Sequence, residues 1–173
     1  MTTVREADAI DAPNADPESR LHDDHHDALR LWLRLLTCTL LIERRIRAQL
    51  RDSFAMTLPR FDLMAQLERA PAGLKMSELS RRLMVTGGNV TGLTDQLVGE
   101  GLVVRKRVPG DRRAQAISLT PAGRRAFAAM AEAHERWIIA LMDGLSQSER
   151  DRLYGLLGRL KRGVAAMPTQ EHA

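Results

Sequence analysis

Apolar residues recur at helical spacings through the first third of the chain. Leu29, Trp32, Leu33, Leu36, Leu40, Ile46 and Leu50 repeat mostly every three or four positions with arginines between them, which predicts a long amphipathic helix over about 24–53. The run from Leu31 to Ile42 is apolar on more than one side. Such a run fits contact both with its own domain and with a partner subunit, burial within one subunit being the plainer alternative. Cys38 lies in this run, where a buried free thiol is inert; a peroxide sensor needs an exposed, acidic thiol.

Thr57 and Pro59 open a second helix, because a hydroxyl can cap and proline is tolerated where its missing donor would be unpaired. The pattern carries it to about Ala70, before Pro71 and Gly73. A short helix follows over 77–83. Thr86 then caps a helix from Gly87 to about Glu100, with Val90, Leu93, Leu97 and Val98 inward and Gly101 as its stop.

The helical period is lost between Leu102 and Leu119. Leu102, Val104 and Lys106 line one face of a strand and Val103, Arg105 and Arg107 the other. Pro109, Gly110 and Asp111 supply turn chemistry, and Ala114, Ala116, Ile117 and Leu119 return as a second strand, giving a hairpin with a basic tip. Thr120 and Pro121 start another long helix. Ser146 with Glu149 three residues on makes a capping box for a last helix bearing Leu153, Leu156, Leu157 and Leu160.

The expected fold is mainly α with a small β-hairpin wing. Residues 1–22, acidic and poor in apolar surface, read as a flexible tail, and 167–173 as a flexible C-terminus. Between them, 23–166 form one domain, with a winged helix-turn-helix over 57–119 and long flanking helices over 24–53 and 121–164.

Charge sharpens this picture. The net charge of +4 over 173 residues conceals an asymmetry: residues 1–30 hold 8 acidic and 3 basic residues, leaving 23 basic against 14 acidic beyond Arg30. Only Lys75, Lys106 and Lys161 among the 26 basic residues are lysine. An arginine-rich excess favours forked contacts to phosphates or base edges, and an aromatic content of 3% is low for stacking single-stranded bases, so duplex nucleic acid is the better fit. A single cysteine, no long apolar run and no leader-like start point to a reduced, cytoplasmic protein that does not enter membranes.

The residues that carry function follow from the helix pair and the hairpin. Gly87, Gly88, Asn89, Thr91, Gly92 and Gln96 give the fourth helix an outward face of small and hydrogen-bonding residues, suited to a major groove about 12 Å wide. Asn89 and Gln96 can pair with adenine edges, and Thr91 can bond a base or pack on a thymine methyl. Arg81 and Arg82 precede this helix, and Arg105, Lys106, Arg107, Arg112 and Arg113 cluster in the hairpin, whose stem can follow phosphates while one arginine enters a narrow minor groove.

From about Leu29 to Leu160 the chain resembles the MarR family of bacterial transcription regulators, most specifically at 76–83, 85–102, Asp111–Arg112–Arg113 and Leu119–Thr120–Pro121–Ala122–Gly123. The resemblance implies a homodimer built by the first and last helices, and a repressor that a small molecule releases; two recognition helices about one helical turn apart then predict a palindromic double-stranded operator. It also gives Asp111 and Arg113 a structural role in the wing tip, and Arg112 or Arg113 the groove role. The stretch 74–93 is most similar to regulators of aromatic-acid catabolism, which implies an aromatic carboxylate or its coenzyme A thioester as effector. Lys75 departs from the family, where a helix-capping Thr or Ser is common, and Gly87 and Gly88 are unusually small for a recognition helix.

Trp32, Arg44, Arg60, Phe61, His134 and Trp137 are the candidate effector-binding residues, a guanidinium against aromatic walls. Each has a plainer reading as core, surface or ion-pair partner. His22, Asp23, Asp24, His25 and His26 have ligand chemistry, but no cysteine or distant histidine completes a four-ligand site, so neither metal nor cofactor is expected. No nucleophile motif, phosphate loop or acid pair supports an enzyme. An architectural DNA-binding protein without effector and a protein-interaction scaffold remain the alternatives.

Overall fold

A computed structural model describes residues 26–83, 86–108 and 111–168. The acidic tail 1–22 and residues 169–173 lie outside them. Among the described residues six helices and three strands follow in the order α1 (Asp27–Phe54), α2 (Leu58–Glu68), β1 (Leu74–Lys75), α3 (Met76–Leu83), α4 (Gly87–Gly99), β2 (Val103–Val108), β3 (Asp111–Leu119), α5 (Pro121–Leu141) and α6 (Gln147–Ala166). Contacts divide the chain into two units that meet within α1, after Arg45. Among the described residues no helix is long and apolar enough to cross a membrane.

In the first unit α1 leaves Leu29, Leu31, Trp32, Leu36, Leu40 and Leu41 exposed. Cys38 is exposed as well, which corrects the expectation of a buried thiol: the apolar run is wider than one chain covers.

The second unit holds the core. Leu50, Leu63, Met64, Leu67, Leu79, Val90, Leu97, Ile117 and Met130 are almost wholly buried, so α1, α2, α3, α4, β3 and α5 each contribute. Each such side chain contributes about 1.5–3 kcal/mol by leaving water. Thr94, a polar residue, shares this core because its register on α4 falls between Val90 and Leu97; its hydroxyl contacts the Met76 sulfur at 3.8 Å. By contrast α6 buries none of its residues, and Leu153, Leu156, Leu157, Leu160 and Val164 are exposed.

The three strands form an antiparallel sheet in the order β1-β3-β2, with Val103 opposite Leu119, Arg105 opposite Ile117, and Leu74 opposite Ile117 on the other side. Sequence reading missed β1, which is two residues long and shows no alternation. Its signal is Gly73, at φ +90, where an added Cβ would lie 2.9 Å from the Ile117 carbonyl oxygen. Asp111, expected in the turn, instead opens β3 opposite Val108.

The helix starts divide into two kinds. Thr120 and Ser146 cap α5 and α6 through their side chains, Ser146 within a complete capping box. Thr57 and Thr86 occupy the N-cap positions of α2 and α4 but make no side-chain cap bond, so that part of the expectation is corrected.

Candidate nucleic-acid interface

Helix α4 turns Val90, Thr94 and Leu97 into the core, and the opposite face is therefore outward: Gly87, Gly88, Asn89, Thr91, Gly92, Asp95 and Gln96 are all exposed. A Cβ added at Gly87, Gly88 or Gly92 would meet nothing within 4 Å, and none of the three has a positive φ. Neither packing nor backbone conformation asks for glycine there, although glycine inside a helix costs about 0.5–1 kcal/mol relative to alanine. The Thr91 hydroxyl donates to the Gly87 carbonyl at 3.0 Å, and its oxygen can still accept a bond.

Three arginines around this helix, Arg81, Arg82 and Arg105, are held in ion pairs. Arg105 on β2 pairs with Asp95 on α4, tying the wing stem to the outward helix face. Arg81 grips the Glu78 carboxylate through two nitrogens at 2.7–3.1 Å, and the Arg82 Nε donates to the same group at 2.7 Å. Hydrogen bonds from Arg81 first and Arg82 second hold the Glu78 carboxyl below its ordinary value of 4.5. Lys106 is exposed beside Arg105. The side chains of Arg107, Asp111, Arg112 and Arg113 lie outside what the structure describes; their backbone positions fall at the far end of β2 and the start of β3.

Of the candidate effector residues in the second unit, two share a cleft. Phe61 and His134 line a cleft of about 530 Å³ among α2, α3 and α5, with Phe127, Gln66, Arg69 and Arg82. The Phe61 ring stacks on Phe127 at 5.5 Å and tilts against His134 at 5.0 Å. Arg60 is not on this wall. It is 8% exposed and pairs with Glu100, the C-cap residue of α4. Trp137 packs against Phe54 with centroids 6.2 Å apart, while Trp32 and Arg44 belong to the first unit, where both are exposed. Sequence reading passed over Gln66 and Arg69, whose convergence depends on how α2 lies against α5. Among the described residues no group of His, Cys, Asp and Glu is arranged to hold a metal ion.

Comparison with known proteins fits this arrangement of helix pair and wing. Residues 56–114 match the family described as the MarR family. The chain is 29% identical over 126 residues to the HTH-type transcriptional regulator PecS of Dickeya dadantii, a match spanning 72% of this chain and 75% of that one. It spans less than two thirds of the length of several other curated regulators that it matches. A MarR family transcriptional regulator from Silicibacter pomeroyi, solved by crystallography, is 34% identical, with a TM-score of 0.70 over 83% of this chain and 99% of that one. Sco3205 of Streptomyces coelicolor, a MarR family regulator solved in complex with DNA, shares the fold with a TM-score of 0.71 at 20% identity over 87% of this chain and 97% of that one. The chain thus belongs to the MarR family, whose members are DNA-binding transcriptional regulators and not enzymes.

Proposed function

We propose that this chain is a cytoplasmic homodimeric regulator that reads a palindromic double-stranded operator with α4 in the major groove and the β2–β3 wing along the flanking backbone. The observation that carries this reading is the exposed face of α4, where three glycines stand in open space that the fold does not need. Small residues there let the helix backbone come close to base edges, while Asn89 and Gln96 supply paired donors and acceptors. Arg105, Lys106, Arg107, Arg112 and Arg113 would follow phosphates or enter the minor groove. Arg81 would reach a phosphate from the end of α3.

A second copy of the chain is the cover that the exposed leucines of α1 and of α6 call for, each row being apolar over several turns. Two recognition helices about 34 Å apart then read an inverted repeat of about 16–20 base pairs.

The regulator is a repressor released by a small aromatic anion, and the cleft beside Phe61 supports that reading. Its volume of about 530 Å³ suits a small ligand, Phe61 and Phe127 offer ring faces, and Arg69 and Arg82 offer guanidinium groups to a carboxylate or a thioester's phosphates. Because Arg82 also belongs to the Glu78 cluster on α3, an occupant would act on the helix that precedes α4.

Footprinting on the DNA upstream of the gene, repeated with a panel of aromatic acids and their coenzyme A thioesters, tests both parts. A protected palindrome that is lost on adding one compound supports the repressor reading. Protection unaffected by any of them leaves an effector-free architectural binder, and no specific protection favours an interaction scaffold.

A further inference from the structure

The end of α4 is tied to the beginning of α5 through one residue, Thr120, by its side chain and its amide. The Thr120 hydroxyl donates to the Gly101 carbonyl at 2.7 Å, with the Leu102 carbonyl at 3.3 Å, and at the same time accepts from the Gly123 amide at 2.9 Å. The Thr120 amide donates to the Leu102 carbonyl at 3.0 Å. Gly101 and Leu102 are themselves bonded back to α4, through Val98 and Leu97. The hydroxyl therefore works in two directions: as acceptor it caps α5, and as donor it holds the residue pair that ends α4 and leads into β2.

The approach is close. A Cβ added at Gly123 would lie 1.9 Å from the Leu102 carbonyl oxygen, so the first turn of α5 rests directly on the α4–β2 junction. Four residues beyond Gly123, the same helix carries Phe127 and then His134 on the cleft wall.

We propose that Thr120 is a positioning residue of the duplex-reading surface: its hydroxyl sets the angle of α4 and the base of the wing relative to α5. The inference rests on the reading of α4 as the helix that faces DNA. Only a hydroxyl combines a donor and an acceptor at this place, so valine keeps the shape and loses both bonds, while serine keeps both.

The test uses the full chain with Thr120→Val, Thr120→Ser and, as a control, Ser146→Ala, which removes a helix cap that bonds only to its own first turn. The probe is the duplex that the unsubstituted chain selects from a randomised pool, with a scrambled duplex beside it. Thr120→Val is expected to bind the selected duplex about tenfold more weakly, as loss of one or two net hydrogen bonds implies, with little change on the scrambled one. Thr120→Ser should stay within about twofold of the unsubstituted chain by the same reckoning. Ser146→Ala should lower the melting temperature without altering duplex affinity. Hydrogen exchange supplies a readout independent of DNA: Thr120→Val should expose the Gly123 amide, which loses its acceptor, and with the loosened junction the amides of Gly101 and Leu102, and Thr120→Ser should not. Unchanged exchange in Thr120→Val, or an equal loss of affinity in Ser146→Ala, would overturn the proposal. Failure of the unsubstituted chain to select any duplex counts against the regulator reading instead, and the clamp is then decided on exchange.

Discussion

The guanidinium of Arg60, near the start of α2, is closed onto the carboxylate of Glu100, the residue that caps the end of α4. Arg60 is 8% exposed, and its Nε has no hydrogen-bond partner, so Glu100 is what balances a charge that has left water. Removing one partner of such a pair costs more than replacing the other by an apolar residue. Glu100→Ala is therefore expected to destabilise the fold by about 1–3 kcal/mol, the range for a stranded buried polar group, and Arg60→Met by less. Urea denaturation of the two variants checks the order. Equal losses, or a larger one for Arg60→Met, contradict the pairing.

Gly92 separates stability from function. Nothing surrounds its missing Cβ, so Gly92→Ala should raise stability by about 0.5–1 kcal/mol, the usual helix gain. The added methyl stands on the exposed face of α4 and should weaken operator binding. A melting curve and a binding titration on one preparation read both. Stability and affinity rising together would remove the argument from open glycines.

Glu78 restrains two arginines at the end of α3. Glu78→Gln should free the Arg81 guanidinium for a phosphate, so that duplex affinity rises and the dependence of log K on log salt steepens by about one contact's worth. Isotherms at several salt concentrations settle this. An unchanged slope would mean that Arg81 stays away from DNA.

The Glu149 carboxyl, bonded by the Ser146 hydroxyl and then the Ser146 amide, lies below its ordinary value of 4.5. A depressed carboxyl favours the folded state at pH above that ordinary value, and the contribution is lost as pH falls through the lower, folded one. Chemical denaturation of the unsubstituted chain and Glu149→Gln should differ at neutral pH and converge in acid. A gap that widens toward acid would have the wrong sign.

Leu160 on α6 is exposed in the single chain. Leu160→Glu is expected to shift sedimentation at micromolar concentration from dimer to monomer and to abolish operator binding with it. A dimer that survives this change places the interface elsewhere.

Much of the fold is legible in the sequence because it is written in local signals. The spacing of Ile46, Leu50, Val90 and Leu97, the Thr120–Pro121 start and the Ser146–Glu149 box each act within a turn or two of chain. What escaped is set by tertiary packing. β1 exists only because Ile117 is there to pair with Leu74, and Thr94 is buried only because α4 lies where it does. Arg60 reads as a candidate ligand arginine until its partner, forty residues away, is known. The outward face of α4 was legible, since Val90 and Leu97 fix the inward one; the cleft was legible only at Phe61 and His134.

That two copies of this chain read one specific duplex through α4 and the wing is decided by titrating the full chain against the duplex it selects from a randomised pool, alongside a scrambled duplex, at two salt concentrations with stoichiometry measured. The expected result is two chains per duplex, affinity for the selected sequence at least about a thousandfold above the scrambled one, and a steep loss with salt on both. Equal affinity for the two duplexes would contradict the account.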